Sequence, residues 1–240
     1  MIPLTNAETP PLNALALIPA YNEGSRAAAV VRTALQVLPV LVIDDGSTDD
    51  TAAQAQAAGA EVVLQRPNQG KGAALLTGLR PALERGYDAV VTLDADGQHD
   101  PAEIPAFLAA HAERGGDLII GQRDFSGMPA LRRTSNRLGT RLFSWALGQP
   151  VPDNQSGYRL LSRRMASALL ESGQIQERGF EFEVEMIVAC VQLGYQLDWV
   201  PIRTIYAGEK SHISPLRHAL KFVQVSLRAR QQMRPSNRVK

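Results

Sequence analysis

Short apolar runs alternate with helix-length stretches through the first half of the chain. No other feature limits so strictly the folds open to it. ALALIP (14–19), VLVID (40–44), EVVLQ (61–65), AVVTLD (89–94) and DLIIG (117–121) read as buried strands. Between them, Arg26 to Val37, Thr51 to Ala58, Gly72 to Glu84 and Pro101 to Arg114 read as helices. Ser47, Thr48 and Asp49 can cap a helix beginning near Asp50, and Gly59 ends it. Asp100-Pro101 forms an N-cap with proline at the first helical position, and Gly115-Gly116 closes that helix. Strands alternating with helices predict an α/β fold, with a mostly parallel central sheet covered by helices on both faces. Ligands of such sheets bind beyond the carboxyl ends of the strands. The polar residues collect there: Asn22 and Glu23, Asp44 and Asp45, Asn68, then Asp94 and Asp96.

From about Gly121 to Gly157 the pattern loosens into a mobile loop and a helix around Ser135 to Leu147. A helix over Glu181 to Gln192 and a strand at LDWVPI (197–202) follow. Leu216, Leu220, Val223 and Leu227 recur at helical spacing, with Arg217, Lys221 and Arg228 on a neighbouring face. There is no internal repeat and no boundary that divides the chain, so residues 1–240 are expected to form one domain. The 25 basic and 24 acidic residues balance, which gives no hint of a nucleic-acid binder. Their distribution is uneven, because no acidic residue follows Glu209 while Arg217, Lys221, Arg228, Arg230, Arg234, Arg238 and Lys240 do. The one cysteine, Cys190, allows no internal disulfide and suits a reduced, cytoplasmic setting. The first dozen residues lack the features of a signal peptide, and no run approaches the roughly 18 apolar residues of a membrane span. The expectation is a soluble protein, or one attached to a membrane surface.

The chemistry concentrates in VTLDADGQHD (91–100), where an apolar run breaks into three carboxylates, a Gln and a His. A calcium-binding EF-hand loop starting at Asp94 needs Gly at its sixth position and Glu at its twelfth, but His99 and Pro105 stand there. A phosphatase of the haloacid-dehalogenase type would place Thr where Gln98 stands. What fits is a hard divalent cation held by few protein oxygens, with substrate phosphate supplying the rest. Asp96 and Gln98 offer that small set. His99 suits a hydrogen-bonded turn better than a metal.

Four ordered stretches, IPAYNE (18–23), VIDDGSTDDT (42–51), RPNQGKGAALLTGL (66–79) and DADGQHDP (94–101), together resemble the family 2 glycosyltransferases. GQRDFSG (121–127), DNQSGYRLLSRR (153–164), FEFEVEMI (180–187) and IYAGEKSHISP (205–215) are similar to the dolichol- or polyprenyl-phosphate mannosyltransferase branch. The resemblance implies a Rossmann-like GT-A fold with a nucleotide-sugar-binding half over about residues 12–125. An acceptor-binding half over about 126–230 would end in the basic helix. The implied activity is inverting transfer of a sugar from a nucleotide diphosphate to a polyprenyl or dolichyl phosphate, foremost mannose from GDP-mannose. The implied cofactor is Mg²⁺ or Mn²⁺. The alternatives are the same chemistry on a hydroxyl acceptor and a catalytically silent nucleotide-sugar-binding module.

By the same resemblance, Pro19, Tyr21 and Glu23 contact the base region of the nucleotide, and Asp45 receives hydrogen bonds from base or ribose. Lys71 faces a phosphate in a loop that is not a Walker A sequence. Asp94 faces ribose or metal, while Asp96 and Gln98 hold the metal. Arg123, Arg133 and Ser135 bind the acceptor phosphate, with Arg203 or Lys210 completing the set. Arginine suits that task because its planar fork stays charged and grips oxygens in pairs. Asp153 stands where inverting relatives place a general base, which a hydroxyl acceptor needs and an anionic phosphate does not. Asp44 is left to cap its own turn. The basic C-terminal helix is a candidate for peripheral membrane contact at the cytoplasmic face. The Gln-x-x-Arg-Trp signature of processive synthases is missing.

Overall fold

A computed structural model describes residues 12–125, 130–171, 182–203, 205 and 215–233. Among the described residues, seven strands form one sheet in the order β3-β2-β1-β4-β6-β5-β7. They are β1 (Ala14–Ala20), β2 (Val40–Asp44), β3 (Glu61–Leu64), β4 (Ala89–Thr92), β5 (Leu118–Arg123), β6 (Arg159–Ser162) and β7 (Leu197–Ile202). The helices are α1 (Gly24–Ala34), α2 (Thr51–Ala57), α3 (Lys71–Glu84), α4 (Ile104–Arg114), α5 (Ala130–Leu147), α6 (Arg163–Glu171), α7 (Phe182–Gln192) and α8 (Pro215–Met233).

Alternation along the strands sorts the core into two layers. Leu15, Leu17, Leu41, Ile43, Val90, Leu118 and Ile120 face one layer, with Leu75 and Leu79 of α3, Met165 of α6 and Ile187 of α7. Ala16, Ile18, Val40, Val42, Val91 and Ile119 face the other, with Val30 and Val31 of α1 and Ile104 and Phe107 of α4. The expected doubly covered sheet is therefore present. Gly78 lets α3 lie directly on the sheet: a Cβ there would stand 2.2 Å from a methyl of Leu17 and 3.1 Å from Ile43.

All pairings are parallel except those of β6, which runs antiparallel between β4 and β5. Neither β6 nor α6 carries a clear sequence signal. RLLS is only four residues long, and RRMASALLE follows with no Gly or Pro to separate strand from helix. β5 runs on to Arg123, and α5 already begins at Ala130, which shortens the loop expected from Gly121. Residues 126–129 of that loop lie outside the described residues, as does Glu181 at the expected start of α7.

The caps are partly as expected. Asp100 accepts from the Ala102 amide at 3.0 Å, and Gly115 takes the left-handed conformation that ends α4. At α2, by contrast, Asp49 accepts from the Thr51 amide, while Ser47 and Thr48 turn to Asn22 instead. Asn22 holds a positive φ of 55° and ties the end of β1 to the turn after β2.

Candidate active site

The carboxyl ends of β1, β2, β4 and β5 bring the polar motifs to one rim of the sheet. At its centre Asp94, two residues beyond β4, meets Lys71 from the first turn of α3 at 2.5 Å. The same ammonium lies 2.8 Å from Glu183 of α7. Burial works to raise the Asp94 carboxyl, but the Lys71 charge beside it prevails and holds it below the ordinary carboxylate value. Lys71 is held firmly protonated, because the two carboxylates outweigh its burial. The phosphate-facing lysine expected at position 71 is here the counter-ion of Asp94 and Glu183. Gly157 closes this cluster from above, since a Cβ there would sit 2.5 Å from the Lys71 Nζ and 3.0 Å from Asp94.

Asp96 is half-buried, and one of its oxygens accepts from the Gln98 amide at 2.9 Å. Burial, then the neighbouring Asp94, raises its carboxyl above the usual range. Glu23 is raised likewise by burial, with Asp96 and Asp94 adding to it against Arg26. Carboxylates that repel one another across a crevice fit a cation. Among the described residues no three His, Cys, Asp or Glu side chains form a closed cage. Asp96, with Asp94 and Gln98 beside it, offers a partial oxygen set of the kind that suits Mg²⁺ or Mn²⁺ when a diphosphate completes the shell. His99 is a buried turn residue, as expected: its Nδ1 accepts from the Asp94 amide at 3.1 Å, and its ring lies 5.2 Å from that of Tyr158. Burial keeps its imidazole below the ordinary value, hence neutral.

On the nucleotide side, Pro19 is buried within β1, while Tyr21 just past it is 48% exposed. Asp45 is buried and already accepts three hydrogen bonds, from the Gln65 side chain and the Gln69 and Gly70 amides. It organises the loop before α3. Its neighbour Asp44 does not cap the turn; it is fully buried, and among the described residues neither of its carboxylate oxygens has a hydrogen-bond partner.

On the acceptor side, Arg123 at the end of β5 grips Asp153 in a bidentate pair, Nε to Oδ2 at 2.7 Å and Nη2 to Oδ1 at 2.9 Å. Asp153 is buried and also accepts from the Gln155 amide at 3.1 Å. The Arg123 charge is felt at Asp94, so the pair borders the acidic turn. Arg133 and Ser135 lie in the first two turns of α5, and Lys210 falls outside the described residues. The Arg203 amide donates to Glu103 at 2.9 Å, and the Ile205 amide donates to the Gln98 carbonyl at 3.3 Å, so the chain after β7 crosses the acidic turn.

Three contributors escaped the sequence reading. Glu183 is a buried glutamate at the start of the mostly apolar α7, where Glu185 also stands, and a carboxylate among these apolar residues was the available signal. Arg159, fully buried, donates to the carbonyls of Ser156, Asn154 and Glu183, and burial pushes its guanidinium down to about 10. It fastens the 153–157 loop to α7. Gly157 matters only through what it touches in space.

Comparison with known proteins agrees with this geometry. The family model described as Glycosyl transferase family 2 matches residues 16–170. The undecaprenyl-phosphate mannosyltransferase of Micrococcus luteus is 33% identical over 207 residues, covering 80% of this chain and 83% of the relative. The polyprenol monophosphomannose synthase of Mycolicibacterium smegmatis is 30% identical, covering 80% and 77%. The UDP-N-acetylglucosamine–dolichyl-phosphate N-acetylglucosaminyltransferase of Methanococcus voltae is 30% identical, covering 79% and 84%. Glucosyl-3-phosphoglycerate synthase from Mycobacterium tuberculosis, solved with Mn²⁺, UDP and phosphoglyceric acid, superimposes with a TM-score of 0.68 at 24% identity, covering 94% of this chain and 80% of that one. That likeness shows a GT-A-like fold. With the family model spanning most of the sheet and its motifs meeting at one rim, the chain belongs to glycosyl transferase family 2.

Proposed function

We propose that this transferase moves a sugar from a nucleotide diphosphate donor to a polyprenyl phosphate, inverting the anomeric carbon, with GDP-mannose as the foremost donor. One observation carries the choice of acceptor. Both oxygens of Asp153 are engaged by Arg123, so the residue placed to act as a general base is instead a support for a cation. A phosphate acceptor is anionic near neutral pH and needs no base, whereas a hydroxyl acceptor would require this pair to open. The names of the three relatives support the same class: each pairs a sugar with a polyprenol or its phosphate, while the sugar itself differs.

In this reading Tyr21, with Pro19 and Glu23, lines the base region, and Asp45 shapes the loop that follows it. Asp96 and Gln98 hold the divalent ion, and Asp94 is kept ionised and oriented by Lys71 and Glu183. The bound ion would offset charge on the departing nucleoside diphosphate. Arg123, with Arg133 and Ser135 of α5 and Lys210 beyond, aligns the attacking phosphate oxygen for in-line displacement. A lipid acceptor brings the protein to a bilayer, at the cytoplasmic face, with α8 as a point of contact.

The test is to incubate the protein with Mn²⁺, a short polyprenyl phosphate and a panel of nucleotide sugars. Turnover of one donor is expected. It should stop on chelation and fall at least about a hundredfold in Asp96→Ala. Turnover undiminished by either change would refute the assignment.

A further inference from the structure

β7 is the outermost strand of the sheet, three places from β4. Its final residue, Ile202, stands beside Arg123 of β5, so the chain leaves it at the rim where the acidic turn lies. There it bonds to residues far earlier in the chain. The Arg203 amide donates to Oε1 of Glu103 at 2.9 Å, and the Ile205 amide donates to the Gln98 carbonyl at 3.3 Å. The side chains of Arg203 and Ile205 are both exposed. Backbone hydrogen bonds, rather than side-chain burial, therefore fix these two residues.

Glu103 stands just before α4, yet its side chain makes no capping bond to that helix. Burial raises its carboxyl above the ordinary value, and the Arg203 amide and charge work against that rise. Among the described residues its second oxygen, Oε2, is buried without a hydrogen-bond partner. The carboxylate is thus held at a cost, and its engagement lies across the chain rather than in its own helix. The turn that precedes it is knitted internally. Asp96 accepts from the Gln98 amide, His99 from the Asp94 amide, and Asp100 from the Ala102 amide. Just before β6, the Tyr158 hydroxyl donates to the Asp100 carbonyl at 3.0 Å and holds the far end of the turn. Arg203 and Ile205 supply the ties nearer Gln98. Because Asp94, Asp96 and Glu23 repel one another here, ties that keep the turn in place lower the cost of gathering it around a cation.

From this we propose that Glu103 is a positioning residue for the cation site, acting through the chain that leaves β7. It anchors Arg203, and the Ile205 amide two residues on then fixes the main chain of Gln98. Affinity for a divalent ion is thereby set in part by a segment on the acceptor side of the molecule. Arg203 is itself a candidate for the acceptor phosphate; in this arrangement its amide serves the metal turn. The inference rests on the proposed cation site at Asp96 and Gln98, and the experiment separates the two.

That experiment is titration with Mn²⁺, followed by loss of the electron paramagnetic resonance signal of the free ion. It is run with Mn²⁺ alone and with GDP or UDP, and without acceptor. Wild type should bind, and Asp96→Ala should not. Binding absent in wild type, or surviving in Asp96→Ala, would refute the cation site and the anchor with it. Glu103→Ala should weaken Mn²⁺ binding about tenfold, as changes to groups behind a metal ligand commonly do. Glu103→Gln keeps an oxygen to accept from Arg203 and should stay within about twofold of wild type. Ile205→Pro deletes the amide donated to Gln98 while replacing an exposed side chain, and should act like Glu103→Ala. Asp117→Asn, just before β5 and so at the opposite end of the sheet, is the control for stability alone. It should lower the thermal melt and leave Mn²⁺ affinity unchanged. Wild-type affinity in Glu103→Ala would overturn the anchor while leaving the cation site standing. So would a loss that Glu103→Gln fails to reverse, or one that Asp117→Asn reproduces.

Discussion

Asp153 illustrates how a neighbour sets what a carboxylate can do. In the proposed reading its bidentate pairing makes it a positioning residue for Arg123. Asp153→Asn should therefore raise the KM for a phosphate acceptor about tenfold while kcat changes little, since one charge-assisted pair is weakened. A fall in kcat by several orders of magnitude at unchanged KM would mark it as a base instead. Gly157 gives a second expectation at this scale. A methyl at 157 would press on Lys71 and Asp94, so Gly157→Ala should weaken Mn²⁺-dependent binding of the nucleoside diphosphate in calorimetry. The melting temperature should drop only modestly. Asp94 and Asp96 were legible in the sequence because an apolar strand delivers them at its end. Glu183, Arg159 and Gly157 were not, because each acts on residues distant along the chain. The pairing of Lys71 with Asp94 and Glu183 was not legible either, since these partners lie on other elements.

At the scale of elements, β1 to β5 were readable from length and apolar content, and so were the helices between them. The antiparallel β6 was not, because a four-residue strand running straight into a helix has no punctuation and too few residues to show a period. α3 depends on contact as much as on pattern. Gly78 sits where any side chain would drive into Leu17 and Ile43, both fully buried. Gly78→Ala should cost about 1–3 kcal/mol by overpacking, despite alanine's better helix propensity, as read by denaturant unfolding. A stabilised variant would show that α3 can move away from the sheet. Asp100→Ala removes the N-cap bond and should cost about 1 kcal/mol.

Across the whole molecule, the sheet separates chemistry from stability. The rim at the carboxyl ends gathers repelling carboxylates, whereas Asp117, at the other end of β5, ties three elements together. Buried, it accepts from Arg164 of α6, from the Ser162 hydroxyl at the end of β6 and from the Gln196 amide before β7. Burial would raise its carboxyl, but the bonds from Arg164, Gln196 and Ser162 hold it below the ordinary value. A depressed folded-state value contributes stability above the unfolded pKa and loses it as pH falls through the folded one. Asp117→Asn should thus cost about 2 kcal/mol at neutral pH, and the gap should narrow under acid conditions below the normal carboxylate range. The most direct test of the central claim, that this site transfers sugar to an anionic lipid phosphate, is the initial rate of nucleoside diphosphate release. It should be measured with a polyprenyl phosphate, with the polyprenol of equal length, and with neither. Release should rise at least about a hundredfold with the phosphate and stay at background with the alcohol; equal rates with both would contradict the account.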